Sequence, residues 1–297
     1  MTTFADLPLD MVEDILRLVK PTDLLNSVLS SVVISKLCTR LLPAVRELKI
    51  RILNGETKGS YDGTSVDLQV SEKDRAVTAK ILETVLPRLV QVAESLHLGN
   101  DLIGEEISDE LFARLLQLVR NAPLKELALS EIDLEHIQTW TLALLANFSH
   151  LEKIEIEQCK FGGDTEAKLL RCLQSSFRTL TQIDLKGTPE ITDQFSHRVS
   201  HCCPNLAYFR ISDCPRVTTL SALPLIESTS FRLTDKLDVH MDNTEFDADQ
   251  LRSFMRSPLF GSCSAEWSLE PVVVPLGYDK PAVLALHSSR KIVLIFV

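Results

Sequence analysis

The 297-residue chain, 45% hydrophobic and 24% charged, has the makeup of a folded globular protein rather than a disordered one. Its net charge of -10, with neither a basic run nor an Arg/Lys stripe interleaved with aromatics, argues against nucleic acid or an anionic membrane surface as partner and favours proteins. No apolar run approaches the roughly 20 residues that span a bilayer. Asp6 and Asp10 stand where a signal peptide would be basic and then apolar, and seven irregularly spaced cysteines fit reduced core thiols, so a cytoplasmic or nuclear location is expected.

Residues 4–44 read as three short helices. Asp6 is placed to cap the first, whose apolar face is Leu9, Val12, Ile15, Leu16 and Val19 and which Pro21 stops; Thr22 or Asp23 would cap the second, with Leu24, Leu25, Val28, Leu29 and Val32. A third, near residues 35–42, ends at Pro43. So short a segment makes a poor independent core, and Leu7, Pro8, Ile15, Leu24 and Leu25 offer more apolar surface than three helices can hide. Something is expected to cover them.

Two strand phrases follow, Val45-x-x-Leu48-x-Ile50 and Ala93-x-x-Leu96-x-Leu98. Between them, Asn54 to Asp74 is rich in Gly, Ser, Thr and Asp and reads as a surface loop ahead of a helix carrying Val77, Ile81, Leu82, Val85 and Leu86. Gly55, Gly59 and Gly63 lack the spacing and the Lys-Ser/Thr of a phosphate loop, so no nucleotide or other cofactor is expected.

From residue 124 the phrase recurs: Leu124-x-x-Leu127-x-Leu129, Leu151-x-x-Ile154-x-Ile156, Leu180-x-x-Ile183-x-Leu185 and Leu206-x-x-Phe209-x-Ile211, with first positions 27, 29 and 26 residues apart. Its fourth and sixth positions share one side of a strand and its other positions are mostly polar, so each phrase is a half-buried strand. Helix-period runs lie between, such as Leu134, Ile137, Leu142, Leu145 and Phe148, or Leu169, Leu170 and Leu173. A unit this small cannot bury its own apolar face, so the expected fold is α/β, a solenoid of parallel strands inside and helices outside. After Cys214 the phrase blurs to Thr234-x-x-Leu237-x-Val239 and Ser264-x-x-Trp267-x-Leu269, with a helix around Leu251, Phe254 and Met255 between them; Ala282 to His287 and Ile292 to Val297 then read as a terminal hairpin capping the last repeat.

Two family resemblances sit on these residues. Cys159 after Ile156, Cys214 after Ile211, Cys203-Pro204-Asn205-Leu206 and Ile191-Thr192-Asp193 resemble the cysteine-containing leucine-rich repeat, best over residues 187–214. Leu7-Pro8-Leu9-Asp10-Met11-Val12-Glu13-Asp14-Ile15-Leu16, then Asp23-Leu24-Leu25 and Val32, resembles the F-box over residues 1–44, although the third helix lacks the family's Trp. The resemblance implies a three-helix F-box at 1–44 and a repeat array at 45–297 with a degenerate end and capping hairpin. It implies a non-catalytic substrate receptor of an SCF-type ubiquitin ligase, whose Leu7, Pro8, Ile15, Leu16, Leu24, Leu25 and Val28 dock a small adaptor protein and, through it, a cullin. The alternative is a repeat scaffold or inhibitor that binds a protein without ubiquitin transfer.

On the strand-lined face, the third, fifth and seventh positions of each phrase point away from the core: Lys153, Glu155 and Glu157; Gln182, Asp184 and Lys186; Tyr208, Arg210 and Ser212; then Lys236, Asp238 and His240. These are the expected target-binding residues, with Tyr208 and Arg210 the types enriched in hot spots. His197, His201, Cys202 and Cys203 lack the second pair a zinc site needs. His97, His136, His150 and His240 have no Gly-x-Ser-x-Gly context, and Glu155, Glu157 and Asp184 read as a solvated strand face rather than an acid/base pair.

Overall fold

A computed structural model describes residues 8–30, 35–53, 57–71, 78–79, 81–100, 107–228, 233–234, 237–256, 267–272, 282–287 and 294–296. The chain forms two compact units, Met1–Ile132 and Asp133–Val297, and both are α/β, with mostly parallel strands joined through helices.

In the first unit, α1 (Leu9–Arg17), α2 (Pro21–Ser30) and α3 (Ser35–Leu41) come as three short helices. Pro21 opens α2 instead of merely ending α1, because the first helical position needs no N–H donor. Thr22 and Asp23 therefore lie inside the helix rather than capping it. Strands β1 (Glu47–Leu53), β2 (Lys58–Asp62), β3 (Ser65–Ser71), β4 (Ser95–Asn100) and β5 (Glu126–Ser130) follow in the spatial order β2-β3-β1-β4-β5. Leu48 pairs with Leu96 and Leu96 with Leu127, while Ile50 pairs with Leu98 and Leu98 with Leu129, so the apolar positions of the phrases meet in parallel register.

Of the stretch Asn54 to Asp74 expected as a surface loop, residues 57–71 are described and form strands instead. They carry the antiparallel hairpin β2–β3, turning at Gly63 with φ +60°, and β3 runs parallel to β1. Val66, Leu68 and Val70 alternate along β3 and are buried, a period-two signal that the Gly, Ser and Thr content masks. The hairpin also takes up what the helices leave uncovered. A Cβ on Gly59 would come within 2.3 Å of the Leu25 side chain, so α2 packs directly on the backbone of β2. Asn26 Oδ1 accepts from the Gly59 amide at 3.3 Å and Thr22 Oγ1 from the Tyr61 amide at 3.1 Å.

The second unit holds β6 (Lys153–Glu157), β7 (Gln182–Lys186), β8 (Tyr208–Ser212) and β9 (Asp238–Asp242), paired in parallel in that order. Two apolar rows run across them, Ile154, Ile183, Phe209, Val239 and Ile156, Leu185, Ile211, Met241, with no member more than 3% exposed. The register of β9 lies two residues further on than Thr234-x-x-Leu237-x-Val239 places it: Val239, not Leu237, opposes Phe209. A two-residue slip keeps every side chain on its own face, so alternation cannot detect it.

A left-handed residue follows each of β5 to β9: Glu131, Gln158, Gly187, Asp213 and Asn243, with φ between 51° and 63°. In the second unit these amides extend the ladder one step, Gln158 to the Lys186 carbonyl at 2.7 Å, Gly187 to Ser212 at 2.9 Å and Asp213 to Asp242 at 3.0 Å. The chain then turns inward, burying Ile132, Cys159, Thr188 or Cys214. The thiols of Cys159 and Cys214 lie 3.5 and 3.3 Å from the carbonyls of Glu157 and Ser212, and burial pushes Cys214 up to about 11. All six described cysteines are unbridged.

The main helices between these strands are Thr165–Leu173, Asp193–Cys202 and Ala222–Glu227, and Ala248–Arg256 follows β9. The run from Leu134 to Phe148 is no single helix. Leu134 donates to the Lys160 carbonyl, Asp133 bridges to Lys160, and helix starts only at Thr139, although Leu134, Ile137, Leu142, Leu145 and Phe148 are all buried. Acidic residues tie the starts of the first two main helices to the following turn. Glu166 accepts from the Thr192 amide; Asp193 accepts from the Thr218 amide at 2.8 Å, the Thr218 hydroxyl at 2.7 Å and the Ser221 hydroxyl.

The strand at Trp267 is not a further parallel repeat. β10 (Trp267–Val272) pairs antiparallel with β11 (Ala282–His287), and β11 with β12 (Leu294–Phe296), in a separate sheet whose backbone approaches β9 through β12. Pro271, which has no N–H to give, lies on its edge strand β10. Ile292 and Val297 of the expected hairpin lie outside the described residues.

Candidate functional site

Two surfaces carry the residues singled out from the sequence. On α1, the outward positions Pro8, Met11, Ile15 and Leu18 fall at spacings of three, four and three, one stripe of a helix. Met11 is 51%, Ile15 40% and Leu18 88% exposed, while Val12 and Leu16 turn inward. Of the expected adaptor-docking residues, Pro8 and Ile15 are uncovered; Leu16, Leu24, Leu25 and Val28 are buried within the first unit, and Leu7 lies outside the described residues. The 8-11-15-18 spacing would have added Met11 and Leu18.

On the face of β6–β9 opposite the apolar rows, the polar side chains form three rows in register: Lys153, Gln182, Tyr208 and Asp238; Glu155, Asp184, Arg210 and His240; Glu157, Lys186, Ser212 and Asp242. The slipped register of β9 replaces the expected Lys236, outside the described residues, with Asp242. All of these residues are part-exposed except Ser212, which its neighbours enclose and whose hydroxyl has no hydrogen-bond partner.

Electrostatics divide this face. Lys153 Nζ lies 2.7 Å from Glu155, Lys186 Nζ 2.5 Å from Glu157, and the Arg210 guanidinium 3.0 Å from Asp242. Each cation is thus spent on a neighbouring carboxylate. Asp184, on a central strand, has neither a hydrogen bond nor an ion pair among the described residues; burial raises its carboxyl above the ordinary range, Arg210 opposes that rise, and Glu155 adds to it. Tyr208 stacks at a tilt on His240, ring centroids 5.3 Å apart, and its phenol is raised by burial and then by the Asp184 charge.

The chain matches no protein-family model and no curated protein sequence. Among the described residues no helix is long and apolar enough to cross a membrane.

Elsewhere the candidate chemical groups are held locally. His197 and His201 stack at 4.6 Å on the exposed side of the helix Asp193–Cys202, whereas Cys203 is buried at its end. The Ser200 hydroxyl lies 3.0 Å from His201 Nδ1 but donates to the His197 carbonyl at 2.8 Å and is itself buried, so it is not poised as a nucleophile. A groove of about 670 Å³ on the second unit intermixes Lys160, Arg198 and Arg216 with Glu135, Asp164, Glu166 and Glu190, and so has no strong field of one sign to recruit a charged ligand.

Proposed function

We propose that the chain is the non-catalytic substrate-recognition subunit of an SCF-type ubiquitin ligase. α1 docks the small adaptor, and through it a cullin, and the polar face of β6–β9 holds the protein to be modified by other subunits. One observation carries this reading: the stripe Pro8, Met11, Ile15 and Leu18 is left uncovered on the segment that resembles an F-box. A protein partner that covered it would gain about 1.5–3 kcal/mol for each large side chain buried. The array reading is supported by the left-handed residue after each of β5 to β9 and by the inward Cys159 and Cys214, which lie where the cysteine-containing leucine-rich repeat they resemble has its buried thiol.

Because Met11 and Ile15 point outward, replacing both with Asp is expected to abolish co-purification of the adaptor while leaving the melting temperature of the chain nearly unchanged. If the double variant still brings the adaptor down, the receptor reading fails. If the wild-type chain holds a protein on its strand face and never an adaptor, the scaffold or inhibitor reading replaces it.

A further inference from the structure

We propose that the strand face of β6–β9 takes a lysine or arginine side chain of its partner at Asp184, which makes the partner a protein with a basic extended segment. This deepens, and rests on, the reading of that face as the target surface. The face carries five carboxylates, Glu155, Glu157, Asp184, Asp238 and Asp242, against three cations, Lys153, Lys186 and Arg210. The cations are already engaged by Glu155, Glu157 and Asp242. Asp184 is therefore the half-buried charge with no hydrogen bond or salt bridge among the described residues, offset only at longer range by Arg210 and Lys153, and a carboxylate so placed gains from a guest cation, since its solvation is partly lost before the guest arrives.

The surroundings fit a cationic side chain better than an anionic or an apolar one. Glu155 flanks Asp184 in register on β6 and Arg210 on β8, where Arg210 is already bound to Asp242, so an incoming carboxylate meets two like charges and an apolar group would strand both. On β8, Tyr208 sits diagonal to Asp184; burial and then the Asp184 charge hold its phenol neutral, and it offers a ring to the stem and head of a lysine or arginine. One row further on the same strand, the enclosed Ser212 hydroxyl still lacks a partner. A flat strand face of alternating positions matches an extended segment, whose side chains also alternate.

The test uses the full chain and a short fluorescein-labelled peptide in which lysine alternates with serine, read by fluorescence anisotropy beside its glutamine and glutamate counterparts. The lysine peptide is expected to bind and the other two are not. Asp184→Asn should weaken the lysine peptide on the order of tenfold, whereas Asp249→Asn should leave it unchanged, because Asp249 is exposed on the helix Ala248–Arg256, away from the face, and removes the same unit of charge. Equal weakening by both variants would reduce the effect to net charge and overturn the proposal. So would equal binding of the lysine and glutamine peptides. Adaptor co-purification does not depend on this face, so a failure here leaves the receptor reading standing, and its loss leaves this one to be judged by the peptide.

Discussion

Asp193 is the side chain whose removal should cost the second unit most for the fewest atoms. Its carboxylate accepts from the Thr218 amide at 2.8 Å, the Thr218 hydroxyl at 2.7 Å and the Ser221 hydroxyl, in a turn where Thr219 and Ser221 are fully buried. Hydrogen bonds to a charged group contribute about 1.5–3 kcal/mol each and are not additive, and each enclosed donor left unsatisfied costs about 1–3 kcal/mol. Asp193→Ala should therefore destabilise by about 3–4 kcal/mol, or about 6–16 °C in melting temperature for a unit of this size. Asp193→Asn keeps one acceptor and should lose about half as much. Urea unfolding followed by circular dichroism measures this, and a double-mutant cycle with Thr218→Val should return a coupling above about 1 kcal/mol. An Asp193→Ala chain within about 0.5 kcal/mol of wild type, the range of ordinary surface substitutions, would refute the cross-repeat cap.

Three more outcomes follow from other parts of the fold. Ile183, wholly buried between Ile154 and Phe209, should lose on the order of 3 kcal/mol or more when replaced by Asp, and a thermal melt left unmoved would rule out the stacked strands. Burial holds the Asp184 carboxyl above its ordinary value of 3.8, so the folded chain keeps a proton that the unfolded chain has released, and ionisation penalises folding as pH rises through that window. Asp184→Asn should accordingly be more stable than wild type at neutral pH and lose that advantage below about pH 4; a difference constant with pH would refute the cause. Burial pushes Cys172 up to about 12 and Cys214 to about 11, so at pH 8 iodoacetamide should label half-exposed Cys202 first, with the order erased in urea. Labelling of folded Cys214 as fast as Cys202 would contradict it.

What the sequence made legible was whatever a period of two encodes. The pairing of Leu48 with Leu96 and of Ile183 with Phe209 could be read in advance, because each phrase fixes which residues face the core. The two-residue slip of β9 could not, since both registers bury the same face, and it changed the candidate site by bringing in Asp242 to engage Arg210. The β2–β3 hairpin was hidden by composition: Gly59 and Ser60 look like loop residues, but Gly59 is small because Leu25 packs on it. Leu24 and Leu25 read as apolar surface in need of a cover, yet nothing local to them says that the cover comes from this chain rather than from another. The isolation of Asp184 depends on where three neighbouring cations spend their charge, which only side-chain geometry reveals.

The contact between α2 and β2 bears on how the protein behaves at high concentration. A terminal strand of a parallel stack normally offers its outward amides to any extended chain that drifts past, and stacks of this kind can grow into fibres from that end. Here the Gly59 and Tyr61 amides are occupied by Asn26 and Thr22, side chains of a helix that cannot itself join the ladder. The growing end is thereby poisoned in the sense that crystal growers use the word. A chain with Thr22→Val and Asn26→Leu would bare both donors and is expected to scatter more light at high concentration than the wild type.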